Sequence, residues 1–340
     1  MQTEKIYIIS GDRKEGLLQA ASILKAGGIV AIPTETVYGL AASAFDDDAI
    51  KKVFLAKGRP QNNPLIVHIS DFDMINEVAR DIPDTAKTLA EKYWPGPLTM
   101  VLEKRDAVAK SVSCGLDTVA VRMPASKTAR EIIRLSGVPL AAPSANISGR
   151  PSPTKAQHVL DDLDSKVDGI VIGEDCAVGV ESTVVSLCTR PPRLLRPGAV
   201  TAEELREVLP DLIIDKAVLS EPEKGTAVSS PGMLYRHYAP STETFLVEGG
   251  SAAFCAFVNS KDNCAAICFE EELADIKGKK LSYGGKEDKE SLAKNLFGVL
   301  RKVDALGANR VYIHATEKDG IGLALYNRLI RAAAFKVIKL

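Results

Sequence analysis

The chain carries almost no net charge, with 43 lysines and arginines against 44 aspartates and glutamates. That balance excludes a strong general pull toward nucleic acid or an anionic membrane, while leaving room for a local basic cleft. Nowhere do about eighteen apolar residues run uninterrupted, and MQTEKIYIIS at the start has no basic stretch leading into a long apolar core. A cytoplasmic protein is expected. Cysteine is sparse: Cys114, Cys176, Cys188, Cys255, Cys264 and Cys268 show neither a zinc spacing with histidine nor a disulfide framework. Reduced, mostly buried thiols are expected, with CAAIC (264–268) reading as a buried strand. The phosphate-loop pattern G-x-x-x-x-G-K-[ST] is missing, and GIGLAL (320–325) lacks the third glycine of a dinucleotide fingerprint. Nothing resembles a nucleophile elbow, so any nucleotide must use an unusual cradle.

What is present is an α/β pattern long enough for two domains, at 340 residues. Up to about residue 215, β-branched runs such as GIVAIPT, PLIVHIS, LTMVLEK, TVAVRMP, VPLAAPS, GIVIGE, STVVSLC and RLLRPGA alternate with helical patterns such as DDDAIKKVFLAKG and SKTAREIIRLSG. A large mixed sheet is expected. Residues 216–242 lose the periodicity and concentrate proline, glycine and serine, which reads as a linker. From 243 the pattern resumes with TFLVEGG, CAAICFE, RVYIHAT and two long helices, giving a smaller α/β domain.

Polar residues cluster at element ends. PSANISGRPSPT (143–154) joins the strand end VPLAA to the helix of TKAQHVLDDL, where Thr154 and Gln157 have capping-box spacing. A loop entering a helix N-terminus is a natural anion seat, because backbone N–H groups point outward there. The helix DDDAIKKVFLAKG ends in Lys57 with Gly58 as its C-cap, and Lys57, Arg59, Asn62, Asn63 and His68 fall within twelve residues. Lys57 and Arg59, ending a helix, are expected to meet phosphate more than core. Arg122 shares a strand face with Thr118 and Ala120, and an arginine among apolar neighbours needs an anion from the protein or from a ligand. Ser182 and Thr183 open a strand, and Arg196 lies between leucines and a Pro-Gly turn. Lys57, Arg59, Arg122 and Arg196 have no matching aspartate cluster; a nucleoside triphosphate with a small carboxylate substrate accounts for that surplus. A surface for structured RNA, binding without ATP turnover, is the alternative.

KGR at 57–59 with SAN at 144–146 resembles the K-x-R and S-x-N signature of the YrdC-like fold. Together with PTETVYGL (33–40) and SPGMLYRHYAP (230–240), the chain is similar to the two-domain threonylcarbamoyl-AMP synthases over nearly its whole length. The resemblance implies a YrdC-like twisted mixed sheet with flanking helices over 10–215, a linker (216–242) folding over the active site, and a smaller Rossmann-like α/β domain over 243–340. It implies a nucleotidyltransferase that joins L-threonine, bicarbonate and ATP into threonylcarbamoyl-adenylate and pyrophosphate, for threonylcarbamoyladenosine in tRNA. Carried over residue by residue, ATP contacts fall on Lys57, Arg59, Asn63, Thr118, Ser144, Asn146, Ser152, Arg196 and Tyr235, and threonine contacts on Thr36, His68, Arg122 and Ser182. Lys57 and Arg59 are the catalytic candidates. Ala142 stands where some relatives place a hydroxyl toward threonine. Mg²⁺ is implied on the ATP phosphates, with no protein ligand; tRNA and a downstream transferase are the implied partners, and no membrane.

Overall fold

The β-branched runs become a twelve-stranded mixed sheet. A computed structural model describes residues 2–8, 13–221 and 238–340. Across the sheet the strands run Glu4–Tyr7, Gly169–Ile172, Val30–Ile32, Gly39–Ser43, Leu140–Ala141, Ile66–His68, Thr118–Arg122, Leu98–Lys104, Thr183–Ser186, Arg193–Arg196 and Ile213–Ile214, with Ala79–Arg80 beside Leu98–Lys104. Helices Asp47–Lys57, Asp84–Tyr93 and Ala156–Leu163 cover one face, packing Ile50, Val53, Leu89 and Val159 with Val67 and Val121. The opposite face is covered in part by helices Arg13–Lys25 and Lys127–Ser136, through Leu17, Leu24, Ile132 and Ile133.

Strand alternation then decides what the remaining part of that face presents. Val67 and Val121 point into the helix-covered core, so His68 and Arg122 point the other way, beside Ile66 and Ala120. The parallel register sets His68 opposite Arg122 and Ile66 opposite Ala120. Two polar side chains thus stand side by side on an apolar floor.

Helix Asp47–Lys57 begins at Asp46, whose carboxylate accepts from the N–H groups of Asp48 and Ala49, and ends at Gly58, the expected C-cap. Gly58 has φ 59°, a left-handed conformation, and its turn sends the Gly58 and Arg59 N–H groups back to Leu55 and Phe54. The expected capping box at Thr154 and Gln157 does not form. That helix starts at Ala156 with Lys155 as N-cap, Gln157 bonds Asp161, and Thr154 is buried, its carbonyl accepting from Cys176. Tertiary pairing holds Thr154 outside the helix.

The second sheet is five-stranded and wholly parallel, in the order Lys279–Ser282, Cys264–Cys268, Arg310–His314, Glu243–Glu248 and Val337–Lys339. Helix Ser251–Asn259 covers one face, and helices Lys289–Lys302 and Gly320–Ala332 the other. The second pair also reaches the first domain: Val37 and Val180 share a core with Leu296, Phe297 and Leu329. Contact is close at Gly179, φ 82°, where a Cβ would fall 2.3 Å from the Lys294 Cα. The buried carboxylate of Asp162 accepts from Arg301 at 2.8 Å across the same seam.

Candidate active site

The floor of His68 and Arg122 opens into a cleft walled on one side by the SAN loop: Pro143, Ser144, Asn146, Arg150 and Ser152 line the cleft, while residues at the start of the following helix do not. The loop itself is therefore the polar wall, in place of the helix terminus that its sequence suggests. Backbone pairing laces it down, since Leu40 donates to the Pro143 carbonyl, Ala145 to that of Tyr38 and Tyr38 to that of Pro153. Within it the Ser144 hydroxyl bonds Asn146 Oδ1, and Asn146 Nδ2 donates to the carbonyls of Ile147 and Arg150.

Lys57 sits behind this wall, 2% exposed and absent from the cleft lining. Its ammonium donates to the carbonyls of Ser144 and Asn146, so it tethers the loop. Burial, then the charge of Arg59, pulls its pKa well below the usual lysine value. Arg59 does line the cleft, with one guanidinium nitrogen on the Asn63 carbonyl at 2.8 Å. Asn63 is buried beneath it, and Thr118, half-buried opposite Glu103 at the start of its strand, stands outside the lining. Arg59→Ala is accordingly expected to lower turnover by about 100-fold with little change in melting temperature, measured by activity assay and calorimetry.

The anion that buried Arg122 requires comes from the protein. Its Nη2 pairs with Glu35 at 2.5 Å, Nη1 donates to Thr36 Oγ1 at 2.9 Å and Nε to the Gly96 carbonyl at 3.2 Å. Burial pushes the Glu35 carboxyl upward, but the charge and hydrogen bonds of Arg122 and the Ala125 N–H hold it below its ordinary value. The sequence reading missed Glu35 although it lies inside PTETVYGL; the signal was the unpaired arginine. Three of the five guanidinium donors are engaged, which leaves others for a ligand.

Burial, then the neighbouring Arg122 charge, brings the His68 pKa down from 6.5 to about 3. His68 is therefore neutral at pH 7. A group depressed in the folded state binds its proton in the unfolded chain first, so stability falls as pH drops from 6.5 toward 3. Denaturant unfolding of the protein and of His68→Gln at pH 7 and pH 5 is expected to show about 2 kcal/mol more acid loss in the unsubstituted chain. Equal losses would remove His68 from the acid response.

In the same cleft Arg196 donates from Nε to the Ser182 carbonyl at 2.9 Å and from Nη2 to Ser182 Oγ at 3.1 Å, and Ser182 Oγ meets Thr99 Oγ1 at 2.7 Å. Ser152 donates to Glu181, whose carboxylate is held below its ordinary value against the effect of burial by Arg328 and Arg196. Thr34, Gly39, Arg150, Glu181 and Tyr238 also line the cleft; they lie in or beside the stretches that the sequence singles out but carry no assigned role there, since none stands apart from ordinary loop or strand composition. Tyr238 packs on Phe297 of the second domain, ring centroids 5.1 Å apart. Tyr235 and most of the linker expected to fold over the site lie outside the described residues.

Four arginines (Arg59, Arg122, Arg150 and Arg196) line one cleft, Arg122 paired with Glu35 and Arg150 with Asp162, and the cleft's own carboxylate, Glu181, is engaged by Arg328. The hydroxyls of Ser144, Ser152 and Ser182 go to Asn146, Glu181 and Thr99. That is a receptor for a small anionic molecule rather than a nucleophile with its base.

Comparison with known proteins narrows this class. A family model described as "Telomere recombination" matches residues 22–198, and one described as "Threonylcarbamoyl-AMP synthase, C-terminal domain" matches residues 200–334. The chain is 45% identical to the threonylcarbamoyl-AMP synthase of Pyrococcus abyssi, covering 94% of each chain. It is 42% identical to that of Bacillus subtilis over 95% of this chain and 94% of the relative. The crystal structure of P. abyssi Sua5 complexed with L-threonine superposes with a TM-score of 0.90 at 39% identity, covering the whole of both chains. The chain belongs to the threonylcarbamoyl-AMP synthase family.

Proposed function

We propose that the cleft joins L-threonine, bicarbonate and ATP into threonylcarbamoyl-AMP and pyrophosphate, making the chain a nucleotidyltransferase. The observation that carries this reading is the convergence of Arg59, Arg122 and Arg196 with the SAN loop over one cleft without a nucleophile-base pair. Threonine would lie at the Arg122 end, its carboxylate on the guanidinium and its polar groups near Thr36, His68 and Ser182. ATP would lie along Arg59, Ser144, Asn146, Ser152 and Arg196, with Tyr235 as a further contact. Lys57, Asn63 and Thr118 act from behind the walls, Lys57 by fixing the loop carbonyls.

The amine of threonine adds to carbon dioxide, losing a proton, or to bicarbonate, losing water. An oxygen of the resulting N-carboxylate attacks the α-phosphorus of ATP, and the bond to the bridging oxygen breaks as pyrophosphate leaves. Both reactants are anionic, so positioning and the cations of the cleft supply the catalysis and no covalent enzyme intermediate is required. Among the described residues no cluster of three His, Cys, Asp or Glu could hold a metal, and Glu181 is occupied by Ser152 and Arg328. Mg²⁺ on the ATP phosphates would offset the charge of the leaving group. No helix among the described residues is long and apolar enough to cross a membrane. The reading further places the enzyme in the cytoplasm, its product passing to a transferase acting on tRNA.

Pyrophosphate release with each substrate omitted in turn tests the reading. Release is expected only with all three present, whereas tight binding of structured RNA without turnover would replace it. A site that hydrogen-bonds a substrate hydroxyl rejects an analogue lacking it more strongly than one lacking a methyl. Valine is expected to react at least about 100-fold more slowly than threonine, and serine to suffer least. Equal rates for all three would show that the side chain is not read.

A further inference from the structure

The second domain places an arginine against the back of the cleft wall. Arg328, on helix Gly320–Ala332, is fully buried, and its guanidinium reaches two chain segments of the first domain. Nε donates to Glu181 Oε2 at 3.0 Å and Nη2 to the Glu181 carbonyl at 3.2 Å, while Nη1 donates to the Pro197 carbonyl. Glu181 and Pro197 directly adjoin Ser182 and Arg196, the two cleft residues joined to each other by the Arg196 hydrogen bonds. A planar guanidinium fork fixes two segments at once with donors in preset directions, where a lysine offers a single rotatable ammonium.

The charges matter as much as the geometry. Glu181 is a single buried carboxylate under the influence of two guanidiniums, Arg328 and Arg196. While Arg328 holds one oxygen and Ser152 the other, Arg196 keeps its donors on Ser182 at the cleft wall. Without Arg328, Glu181 becomes a buried charge lacking its principal partner, and Arg196 is the cation next in influence upon it. Their mutual neutralisation would cost the cleft one positive charge at its anion-binding end.

We propose that Arg328 is a positioning residue for nucleotide binding: by holding Glu181 and the Pro197 carbonyl, it keeps Arg196 available to the anionic substrate. The second domain thereby completes the charge of the active site without touching substrate. The proposal rests on the reading that Arg196 meets ATP.

The test is a double-mutant cycle in the full-length chain, with Arg328→Met, Glu181→Gln and the pair together. It is read as Kd for a non-hydrolysable ATP analogue and as KM for ATP against kcat. Arg328→Met is expected to weaken ATP binding about tenfold, and adding Glu181→Gln to bring it back within about threefold of the original, because no carboxylate then competes for Arg196. A domain-packing role predicts the reverse order, since the pair removes more contacts than either change alone. A double variant as weak as Arg328→Met, or an Arg328→Met variant with unaltered ATP affinity, overturns the proposal. If Arg328→Met melts below the assay temperature, Arg328→Gln, which keeps a hydrogen-bonding end without the charge, takes its place in the same cycle. Threonine-dependent pyrophosphate release by the unsubstituted chain is measured alongside. Its absence would overturn the synthase reading, whereas normal turnover with an inert Arg328 overturns only the clamp.

Discussion

Replacing Arg122 by leucine is expected to remove threonine-dependent pyrophosphate release almost entirely and to destabilise the fold by about 3–5 kcal/mol. The stability loss follows from the Glu35 carboxylate, 11% exposed, whose guanidinium partner lies at 2.5 Å. Removing one member of a buried pair leaves the other charge uncompensated in a poorly solvated site. The activity loss follows from the donors of Arg122 that remain for substrate, one charge-assisted contact in a transition state being worth about 100-fold to 1,000-fold. Arg122→Lys is expected to restore little of either, because the fork divides its donors among Gly96, Thr36 and Glu35 and one ammonium cannot span that set. Adding Glu35→Gln to Arg122→Leu removes the stranded charge, so stability is expected to recover in part while activity stays lost. Denaturant unfolding beside pyrophosphate release separates the two effects. Full activity in Arg122→Leu would exclude the arginine from the substrate site.

Lys57→Met is expected to affect stability and turnover together, where Arg59→Ala affects turnover alone. The two residues are neighbours in the K-x-R pattern, and position at a helix end predicts the same exposed role for both. Burial separates them. Met keeps most of the lysine stem but loses the ammonium, leaving the carbonyls of Ser144 and Asn146 without their donor. Hydrogen bonds to a charged group contribute about 1.5–3 kcal/mol each, offset here by the cost of burying the ammonium, so a net loss of about 2 kcal/mol is expected. Turnover is expected to fall about 100-fold because the SAN loop no longer holds its donors at fixed positions. Calorimetry with single-turnover adenylate formation measures both, and an Lys57→Met protein with an unshifted melting temperature would show that the tether does not matter.

Hydrogen-deuterium exchange would add a local reading. Amides of residues 144–148 are expected to exchange faster in Lys57→Met and unchanged in Arg59→Ala, since only the first tethers the loop from behind.

Much of this protein is written in local pattern. Period-two alternation in PLIVHIS and TVAVRMP is enough to set His68 and Arg122 on one face of their strands, apart from Val67 and Val121. Helix Asp47–Lys57 announces both its ends through Asp46 and Gly58, because capping needs only residues within one turn. The motifs PTETVYGL, KGR and SAN point to the family without any coordinates. Tertiary structure alone decided which charges meet. Glu35 and Arg122 are 87 residues apart in the chain, and Glu181 and Arg328 are 147 apart. Their pairing depends on strand order, on register and on how the second domain seats against Gly179, none of which leaves a periodic trace. The same holds for Lys57, at a helix end that suggests a phosphate ligand, whose ammonium is bonded to carbonyls 87 and 89 positions away and so anchors a loop. Periodicity reports which side of an element meets the core, because that depends on hydrophobicity repeated along the chain. The partner of a single buried charge depends on one contact between distant segments, and only the assembled fold brings the two together.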